Sequence, residues 1–359
     1  MMERALKESE REGRSIQTRR LLDIRELRVG FDVFGGTLRV LNGVNFHVGE
    51  GEKVGLVGET GCGKTTTAKS IARILPVPPS RVLGGEILFD GEDVLGMGTK
   101  EIRKLHAKGL SMIFQDPTAA LNPVFTIGEQ LKDAIKYANI KHTLSRREIQ
   151  ARAVESLADV SLPDPERILE NYPVQLSGGM RQRVCIAMAL ATESRLLIAD
   201  EPTTSLDVTI QAQILRLLGK LIVEKETSAI LITHSLGLVR EWTERVYVMY
   251  AGSMVETAPT RELFSRPLHP YTLGLMKAVP KLTGEGIAEG IPGRIPDYLA
   301  PPPGCRFNPR CPHVMDICRG GKPGAETGAI PGASGPRNSK PPFFQPEQSH
   351  LVACYLYRE

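Results

Sequence analysis

The sequence lacks the features that would place it across a membrane, outside the cell or on nucleic acid. No stretch approaches the roughly 18–20 uninterrupted apolar residues that a membrane-spanning helix requires. The N-terminus is charged and has no apolar segment of a secretory signal, so we expect a cytoplasmic chain that reaches a membrane only through a partner. The net charge of +4 is small for 359 residues, and no basic stripe with interleaved aromatic residues indicates contact with nucleic acid.

Composition divides the chain into three parts. Residues 1–20 are half charged and are predicted to be a mobile tail. Between residue 21 and about residue 265, apolar runs of strand length are each followed by a helix or a turn, which is typical of an α/β fold with a buried, largely parallel sheet. Residues 266–359 are punctuated by proline and glycine, which predicts a small, loop-rich C-terminal domain. Strands are predicted at 22–31, 38–48, 53–57, 85–90, 110–114, 195–200 and 228–233, and helices at 64–75, over most of 125–175 and at 271–278.

One glycine-rich segment follows a predicted strand and opens a predicted helix. It matches the pattern G-x-x-x-x-G-K-S/T, whose backbone N–H groups converge on the phosphates of a nucleotide at the positive end of the helix. Lys64 is expected to reach the β- and γ-phosphates and the Thr65 hydroxyl to coordinate Mg²⁺, which predicts that the chain binds and hydrolyses ATP. The segment, called the phosphate loop below, comprises Gly58, Glu59, Thr60, Gly61, Cys62, Gly63, Lys64, Thr65 and Thr66.

Two carboxylates follow the apolar run 196–199, where a buried strand would present them at its exposed carboxyl end. Phosphoryl transfer needs a metal ion and a positioned nucleophile, so Asp200 is predicted to hold Mg²⁺ and Glu201 to orient and activate the attacking water. Gln115 and His234 each end another predicted strand. We expect Gln115 to touch Mg²⁺ or this water, and His234 to lie near the γ-phosphate as a polar sensor, although a lone histidine after an apolar strand is usually structural.

A second candidate anion site precedes another predicted helix, within the segment Leu-Ser-Gly-Gly-Met-Arg-Gln-Arg. Ser-Gly-Gly at a helix start is an anion-binding N-terminus. The whole segment resembles the signature sequence of ATP-binding cassette (ABC) ATPases, and the resemblance covers about residues 22–265. The signature segment, as it is called below, comprises Ser177, Gly178, Gly179 and Met180. The family's Q-loop, D-loop and switch histidine fall at Gln115, at Ser205-Leu206-Asp207 and at His234.

The resemblance implies an ABC-type nucleotide-binding domain: a P-loop NTPase core with an antiparallel β subdomain and a helical subdomain at about residues 116–190. It also implies a head-to-tail dimer of cassettes, in which ATP lies between the phosphate loop of one subunit and the signature segment of the other, with Asp207 also at the nucleotide. Closure on ATP and opening after hydrolysis would be the power stroke. In this family an aromatic residue near the N-terminus stacks on adenine; Phe31 fits best, and Phe34 is the alternative.

Two further stretches are similar to the oligopeptide/dipeptide importer group. They are Phe-Gln-Asp-Pro-Thr-Ala-Ala-Leu-Asn-Pro at 114–123, and Leu-His-Pro-Tyr-Thr-Leu-Gly-Leu-Met at 268–276 followed by Gly-Cys-Arg-Phe-Asn-Pro-Arg-Cys-Pro at 304–312. The resemblance implies an ATPase subunit at the cytoplasmic face of the membrane that powers uptake of peptides or related solutes. Its expected partners are a second, different cassette subunit, two transmembrane permease subunits and, indirectly, a solute-binding protein. A soluble ABC ATPase of DNA repair, translation or iron–sulfur assembly is the alternative.

Four of the six cysteines lie in the C-terminal part: Cys305, Cys311, Cys318 and Cys354. This proline-rich segment has too few apolar residues to fold by itself, and a metal centre would supply the missing stability. Four thiolates suit tetrahedral zinc or an iron–sulfur cluster, and thiols without metal are the third possibility. In the oligopeptide-importer group the matching cysteines are associated with a 4Fe–4S cluster in some members, which favours that cluster here. Nothing in the sequence places it near the ATP. Cys185 is interpreted as a buried core residue, and His313 and His350 as bystanders.

Overall fold

The structure is a computed structural model that describes residues 19–139, 144–192, 194–203, 207–278, 290–320 and 340–358. Its strands are β1 (Arg20–Val33), β2 (Gly36–Gly49), β3 (Lys53–Val57), β4 (Ser80–Phe89), β5 (Glu92–Asp93), β6 (Leu110–Ile113), β7 (Leu196–Asp200), β8 (Ser228–Ile232), β9 (Arg245–Tyr250), β10 (Ser253–Pro259), β11 (Phe344–Glu347) and β12 (His350–Val352). Its helices are α1 (Lys64–Ile71), α2 (Thr99–Lys104), α3 (Pro117–Ala120), α4 (Ile127–Ala138), α5 (Arg146–Asp159), α6 (Pro165–Glu170), α7 (Gly178–Leu190), α8 (Val208–Glu224), α9 (Leu236–Trp242), α10 (Thr260–Ser265) and α11 (Pro270–Lys277).

A four-stranded antiparallel sheet forms the first layer, in the order β2-β1-β4-β5. The inward face of β1 carries Leu22 and Ile24, then Leu27 and Val29, and all four are buried. Alternation alone would put the second pair on the opposite face, but a β-bulge between Ile24 and Leu27 restores the register. This face packs on the central sheet in one continuous apolar core.

The central sheet has eight strands in the order β11-β12-β10-β9-β3-β8-β7-β6. From β9 to β6 neighbouring strands are parallel, and β10, β12 and β11 continue the sheet in antiparallel fashion. Strands β7 and β8 are buried along their whole length, which explains why each reads as a continuous apolar run. The α/β class predicted from the sequence is confirmed.

Helix α1 is shorter than predicted. It ends at Ile71 instead of continuing to residue 75, and Arg73 then adopts a left-handed backbone conformation with φ of 55°. Because an L-residue with positive φ cannot continue a right-handed helix, the chain turns here, before Pro76.

Helices α3 to α7 form a lobe, and its apolar core continues onto α8 and strands β6 to β8. The predicted capping box is present: the Glu148 N–H donates to Ser145 Oγ at 3.3 Å, and the Ser145 N–H donates to the Glu148 carboxylate at 2.7 Å. In the same core, burial raises the pKa of Cys185 to about 12, as expected for an inert core thiol.

The C-terminal residues are loop-rich, but they are built into the cassette. Strand β12 pairs with β10, and β11 closes the sheet as its edge strand. Phe307 is buried against Tyr250 and Tyr271, with ring centroids 5.0 and 5.5 Å away. The segment therefore takes most of its apolar core from the cassette, which accounts for how a chain so rich in proline folds there.

Candidate active site

Four neighbouring parallel strands end at one edge of the central sheet. The phosphate loop follows β3, His234 follows β8, Asp200 ends β7 and Gln115 follows β6. In an open α/β sheet this carboxyl edge is where ligands bind. The structure thus brings these four sequence-predicted features together at one site, although they are spread over about half of the chain.

The phosphate loop has a backbone that only glycine can supply at Gly58. This residue has φ of 153°, and a Cβ atom there would lie 2.1 Å from the carbonyl oxygen of Met249. Lys64 is buried, and its Nζ donates to the carbonyl oxygens of Gly58 at 2.8 Å and Glu59 at 3.1 Å. Its ammonium group therefore sits inside the loop. The side chain of Cys62 is fully buried, so only its backbone can face a ligand.

Thr65 and Asp200 lie together below this loop. Thr65 Oγ1 donates to Asp200 Oδ1 at 3.2 Å. Burial raises the pKa of Asp200, and the neighbouring charge of Glu201 adds to the rise, against the hydrogen bond from Thr65. A divalent cation held by the hydroxyl and the carboxylate would lower the pKa of Asp200 again and keep it ionised. The pair therefore has the chemistry of a Mg²⁺ site.

Glu201 is held by two polar side chains. Gln115 Nε2 donates to its Oε2 at 2.9 Å, and His234 Nε2 contacts Oε1. Glu201 itself has a positive φ of 47°, and its N–H donates to the Ile232 carbonyl of β8 at 2.8 Å. Thr60 Oγ1 of the phosphate loop lies 3.5 Å from His234 Nε2. One carboxylate therefore connects the ends of three strands to the loop.

The signature segment lies at the start of α7, outside this cluster. Ser177 caps the helix, because its Oγ accepts a hydrogen bond from the N–H of Met180 at 3.3 Å. Ser177 and Gly178 are exposed, and within the described ranges no hydrogen bond joins them to the phosphate loop. Asp207 is exposed at the start of α8, and Ser205 and Leu206 lie outside the described residues.

The two candidate adenine contacts differ in exposure. Phe31 is partly buried and packs against the core between the sheets. Phe34 stands in the turn between β1 and β2 and is fully exposed, at 105%. An aromatic face open to solvent is available to stack on a base, whereas a ring already packed in the core is not.

Among the described residues of the C-terminal part, three bond to the phosphate loop, and sequence reasoning missed all of them. The Glu59 N–H donates to Tyr271 Oη at 2.8 Å, and Tyr298 Oη donates to the Gly61 carbonyl at 2.7 Å. Arg310 forms an ion pair with the Glu59 carboxylate. Because Arg310 immediately precedes Cys311, the cysteine segment reaches the phosphate loop through a contact that nothing in the sequence indicated.

The four C-terminal cysteines line one cavity, together with His269, Phe307 and Met315. Burial raises the pKa of Cys305 to about 12 and that of Cys354 to about 11, so without a metal both are neutral thiols at physiological pH. Of the two nearby histidines, His313 lines the same cavity, whereas His350 is fully buried and faces Glu256 instead.

A phosphate loop, a strand ending in two carboxylates and a helical lobe with a capped signature segment define an ABC-type ATPase. The ABC transporter family profile matches residues 41–204, and the profile of the oligopeptide/dipeptide transporter C-terminal region matches residues 255–318. The chain belongs to the ABC transporter family and carries this C-terminal region. Within the described ranges, no helix combines the length and the hydropathy needed to cross a membrane.

Relatives of this chain carry transport names. It is 48% identical over 301 residues (83% of this chain, 89% of the relative) to a probable peptide ABC transporter ATP-binding protein, y4tR, of Sinorhizobium fredii. It is 42% identical over 344 residues (95% of this chain, 90% of the relative) to the oligopeptide transport ATP-binding protein OppD of Bacillus subtilis. Among solved structures, the ATP-binding cassette MJ0796, a dimer in a post-hydrolysis state with ADP and phosphate, aligns with a TM-score of 0.60 at 27% identity, over 67% of this chain and 99% of that one.

Proposed function

We propose that this protein is the ATP-hydrolysing subunit of an importer that takes up peptides or related solutes through separate membrane permease subunits. The observation that carries the hydrolytic part is the position of Glu201, held between Gln115 and His234 beside Asp200 and the phosphate loop. The peptide part is supported by the oligopeptide/dipeptide C-terminal region and by the names of the relatives.

In this proposal the residues have separate roles. Lys64 leaves the loop carbonyls that it now contacts and binds the β- and γ-phosphates. Thr65 and Asp200 hold Mg²⁺, directly or through water, which supplies the charge neutralisation that phosphoryl transfer needs. Glu201 orients the attacking water, with Gln115 and His234 on its two oxygens as sensors of metal and γ-phosphate.

The active site is completed by a second cassette. The signature segment is exposed and separate from the phosphate loop of its own chain, so its helix start is free to bind the nucleotide of a partner. The related cassette MJ0796 is described as dimeric. We propose a head-to-tail dimer with a different cassette chain, in which Ser177–Met180 and Asp207 act on the partner's ATP.

The helical lobe is the proposed contact with the permease. Its loop between α3 and α4 carries exposed apolar side chains, with Val124 at 74% and Phe125 at 50% exposure. Exposed apolar residues in one region mark interaction surfaces. Two permease subunits would place the chain at the cytoplasmic face of the membrane, and a solute-binding protein would deliver the solute to them.

We propose that the four C-terminal thiols hold a 4Fe–4S cluster. Their convergence on one cavity supports a common ligand. Around one tetrahedral zinc ion, thiolates at about 2.3 Å would lie about 3.8 Å from each other. Among the described residues no three thiols lie within 4.8 Å of one another, and this wider spacing favours a multi-atom cluster over a single ion. A colourless protein purified without oxygen that contains zinc would rule the cluster out.

The test of the function is reconstitution. The chain should copurify with two polytopic membrane proteins, and vesicles holding this complex should accumulate peptide only with ATP and the solute-binding protein. Full ATPase activity without any membrane partner, together with failure to copurify with a permease, would instead favour the soluble ABC ATPases of DNA repair, translation or iron–sulfur assembly.

A further inference from the structure

Three ligand-type side chains outside the active site converge where the hairpin β11–β12 lies against α10. Glu262 belongs to α10, Glu347 ends β11 and His350 begins β12. One ligand atom from each of these residues lies within 4.8 Å of the others. Imidazole nitrogen and carboxylate oxygen are both ligands of divalent metal ions. Exposed acidic groups alone would not indicate a metal site. The surroundings of the histidine therefore determine whether this group can bind a metal ion.

The imidazole of His350 is fully buried, and its two nitrogens have different surroundings. Nε2 lies 2.7 Å from Oε1 of Glu256. The Glu256 carboxylate also accepts hydrogen bonds from the N–H groups of Leu268 at 2.7 Å and His269 at 2.9 Å. Because Glu256 acts as an acceptor for its neighbours, Nε2 is the protonated nitrogen. The other nitrogen, Nδ1, is buried and has no hydrogen-bond partner among the described residues.

Of the two ring nitrogens, Nδ1 is the one left to bind a ligand. A ring nitrogen of His350 lies within 4.8 Å of an oxygen of Glu262 and an oxygen of Glu347, and Nε2 is already engaged by Glu256. Leaving a buried polar atom without any partner is unfavourable, because the atom loses its hydration and gains no hydrogen bond in return. A ligand that accepts the Nδ1 lone pair would remove this cost.

We propose that Glu262, Glu347 and His350 bind a divalent transition-metal ion. The arrangement is the one that metal-binding histidines prefer, in which one ring nitrogen donates to a carboxylate, here Glu256, and the other binds the metal. The two carboxylates balance the charge of the ion. The side chain of Glu347 is 36% exposed, which leaves the site open to ions from solvent.

Two neighbours hold the carboxylates in place. Ser349 Oγ donates to Glu262 Oε2 at 2.8 Å, and Arg266 pairs with Glu347 Oε1. Each contact occupies one oxygen and leaves the other oxygen of that carboxylate available to a metal. The ion would then fasten the C-terminal hairpin to α10, a short distance along the chain from Cys354.

The experiment measures the binding of Mn²⁺ to the nucleotide-free full chain. Bound Mn²⁺ is detected as a loss of the free-ion signal in electron paramagnetic resonance. Mn²⁺ is chosen because thiolates prefer softer ions, so the four-cysteine site does not compete. The test variant is Glu262→Gln with Glu347→Gln, which keeps both side-chain shapes. Glu155→Gln on the exposed face of α5 is the matched control, and Asp200→Asn removes the proposed Mg²⁺ carboxylate.

The wild-type chain, Glu155→Gln and Asp200→Asn should each bind one Mn²⁺ at this site, and the double variant should bind it at least ten-fold more weakly. His350→Gln should reproduce the loss, and amide exchange of β12 should slow on Mn²⁺ addition in the wild type only. Absence of binding by the wild type, equal binding by the double variant, or loss confined to Asp200→Asn would each overturn the proposal.

Discussion

Arg310 and Glu59 join the C-terminal part of the chain to the phosphate loop through two parallel hydrogen bonds. Nη1 donates to Oε2 at 2.7 Å and Nη2 donates to Oε1 at 3.0 Å. The Arg310 side chain is only 4% exposed, and its guanidinium also lies over the Tyr250 ring. A bidentate pair of this kind fixes the loop in one shape before any nucleotide arrives.

Arg310→Ala is expected to raise the KM for ATP about ten-fold, equivalent to about 1.4 kcal/mol, because the loop loses its anchor. Arg310→Lys should recover little of the lost ATP affinity, since an ammonium group cannot form both hydrogen bonds. Steady-state ATPase kinetics measure the effect, with Arg103→Ala on the exposed end of α2 as the control. An unchanged KM in Arg310→Ala would mean that the pair only tethers the C-terminal segment.

Glu201→Gln should retain ATP binding while turnover falls by about 10²–10⁴-fold, the usual contribution of a general base. Glutamine keeps the contacts to Gln115 and His234 but cannot take up a proton. The variant should also trap a closed, ATP-bound dimer, detected by light scattering. Glu241→Gln, an exposed position in α9, serves as the control. Turnover close to wild type would remove Glu201 from its role.

Ser177→Arg should abolish most hydrolysis by the assembled dimer without weakening ATP binding to the isolated subunit. The reason is that the signature segment acts on the partner's nucleotide, so a large cation there blocks closure and leaves the chain's own phosphate loop intact. Binding of a fluorescent ATP analogue to the monomer, compared with ATPase activity of the complex, separates the two effects. Collapse of binding in the monomer would contradict a site shared between chains.

Phe34→Ala should weaken ATP binding about 5–150-fold, because stacking on a base contributes about 1–3 kcal/mol. Folding should be unaffected, since the ring is fully exposed. Phe31→Ala should do the reverse, lowering the free energy of unfolding because a core contact is lost, with little change in affinity. ATP titration and denaturant unfolding of both variants decide which phenylalanine contacts adenine. Weaker ATP binding in Phe31→Ala, with no change in Phe34→Ala, would assign the adenine contact to Phe31.

The metal-free chain should lose stability as the pH rises above about 9. The pKa of Cys305 is raised from 9.0 to about 12 and that of Cys354 to about 11, so the unfolded chain releases protons that the folded chain retains. Stability is therefore complete below about pH 9 and falls as the pH approaches the folded-state values. Denaturant midpoints measured between pH 7 and 11 give the slope of stability against pH. This slope should be smaller in the double variant Cys305→Ser with Cys354→Ser. Equal slopes would show that these thiols do not titrate as buried groups.

Local patterns in the sequence predicted much of the fold. The continuous apolar runs of β7 and β8 and the capping box at Ser145 each depend on neighbouring residues, and all three are present. The phosphate loop and its carboxylates could be predicted because parallel strands must end at a common edge.

What could not be predicted depends on contacts between distant residues. Arg310 and Glu59 are 251 positions apart, and neither belongs to a periodic pattern that pairs them. The sequence did not indicate that β12 joins β10, because a three-residue strand has no detectable alternation. The choice between Phe31 and Phe34 depends on side-chain packing at the end of β1, which the sequence alone does not specify.

The pairing of β12 with β10 also has a consequence for biosynthesis. His350 reaches Glu256 across 94 positions, so β10 leaves the ribosome several seconds before its partner strand, at about 5–20 residues per second. During that interval β10 has an unpaired edge, and the Glu256 carboxylate lacks a donor that it has in the finished protein. Nascent or prematurely terminated chains should therefore be recognised by chaperones and proteases, and a cell would assemble only transporters whose C-terminal hairpin has been made and docked.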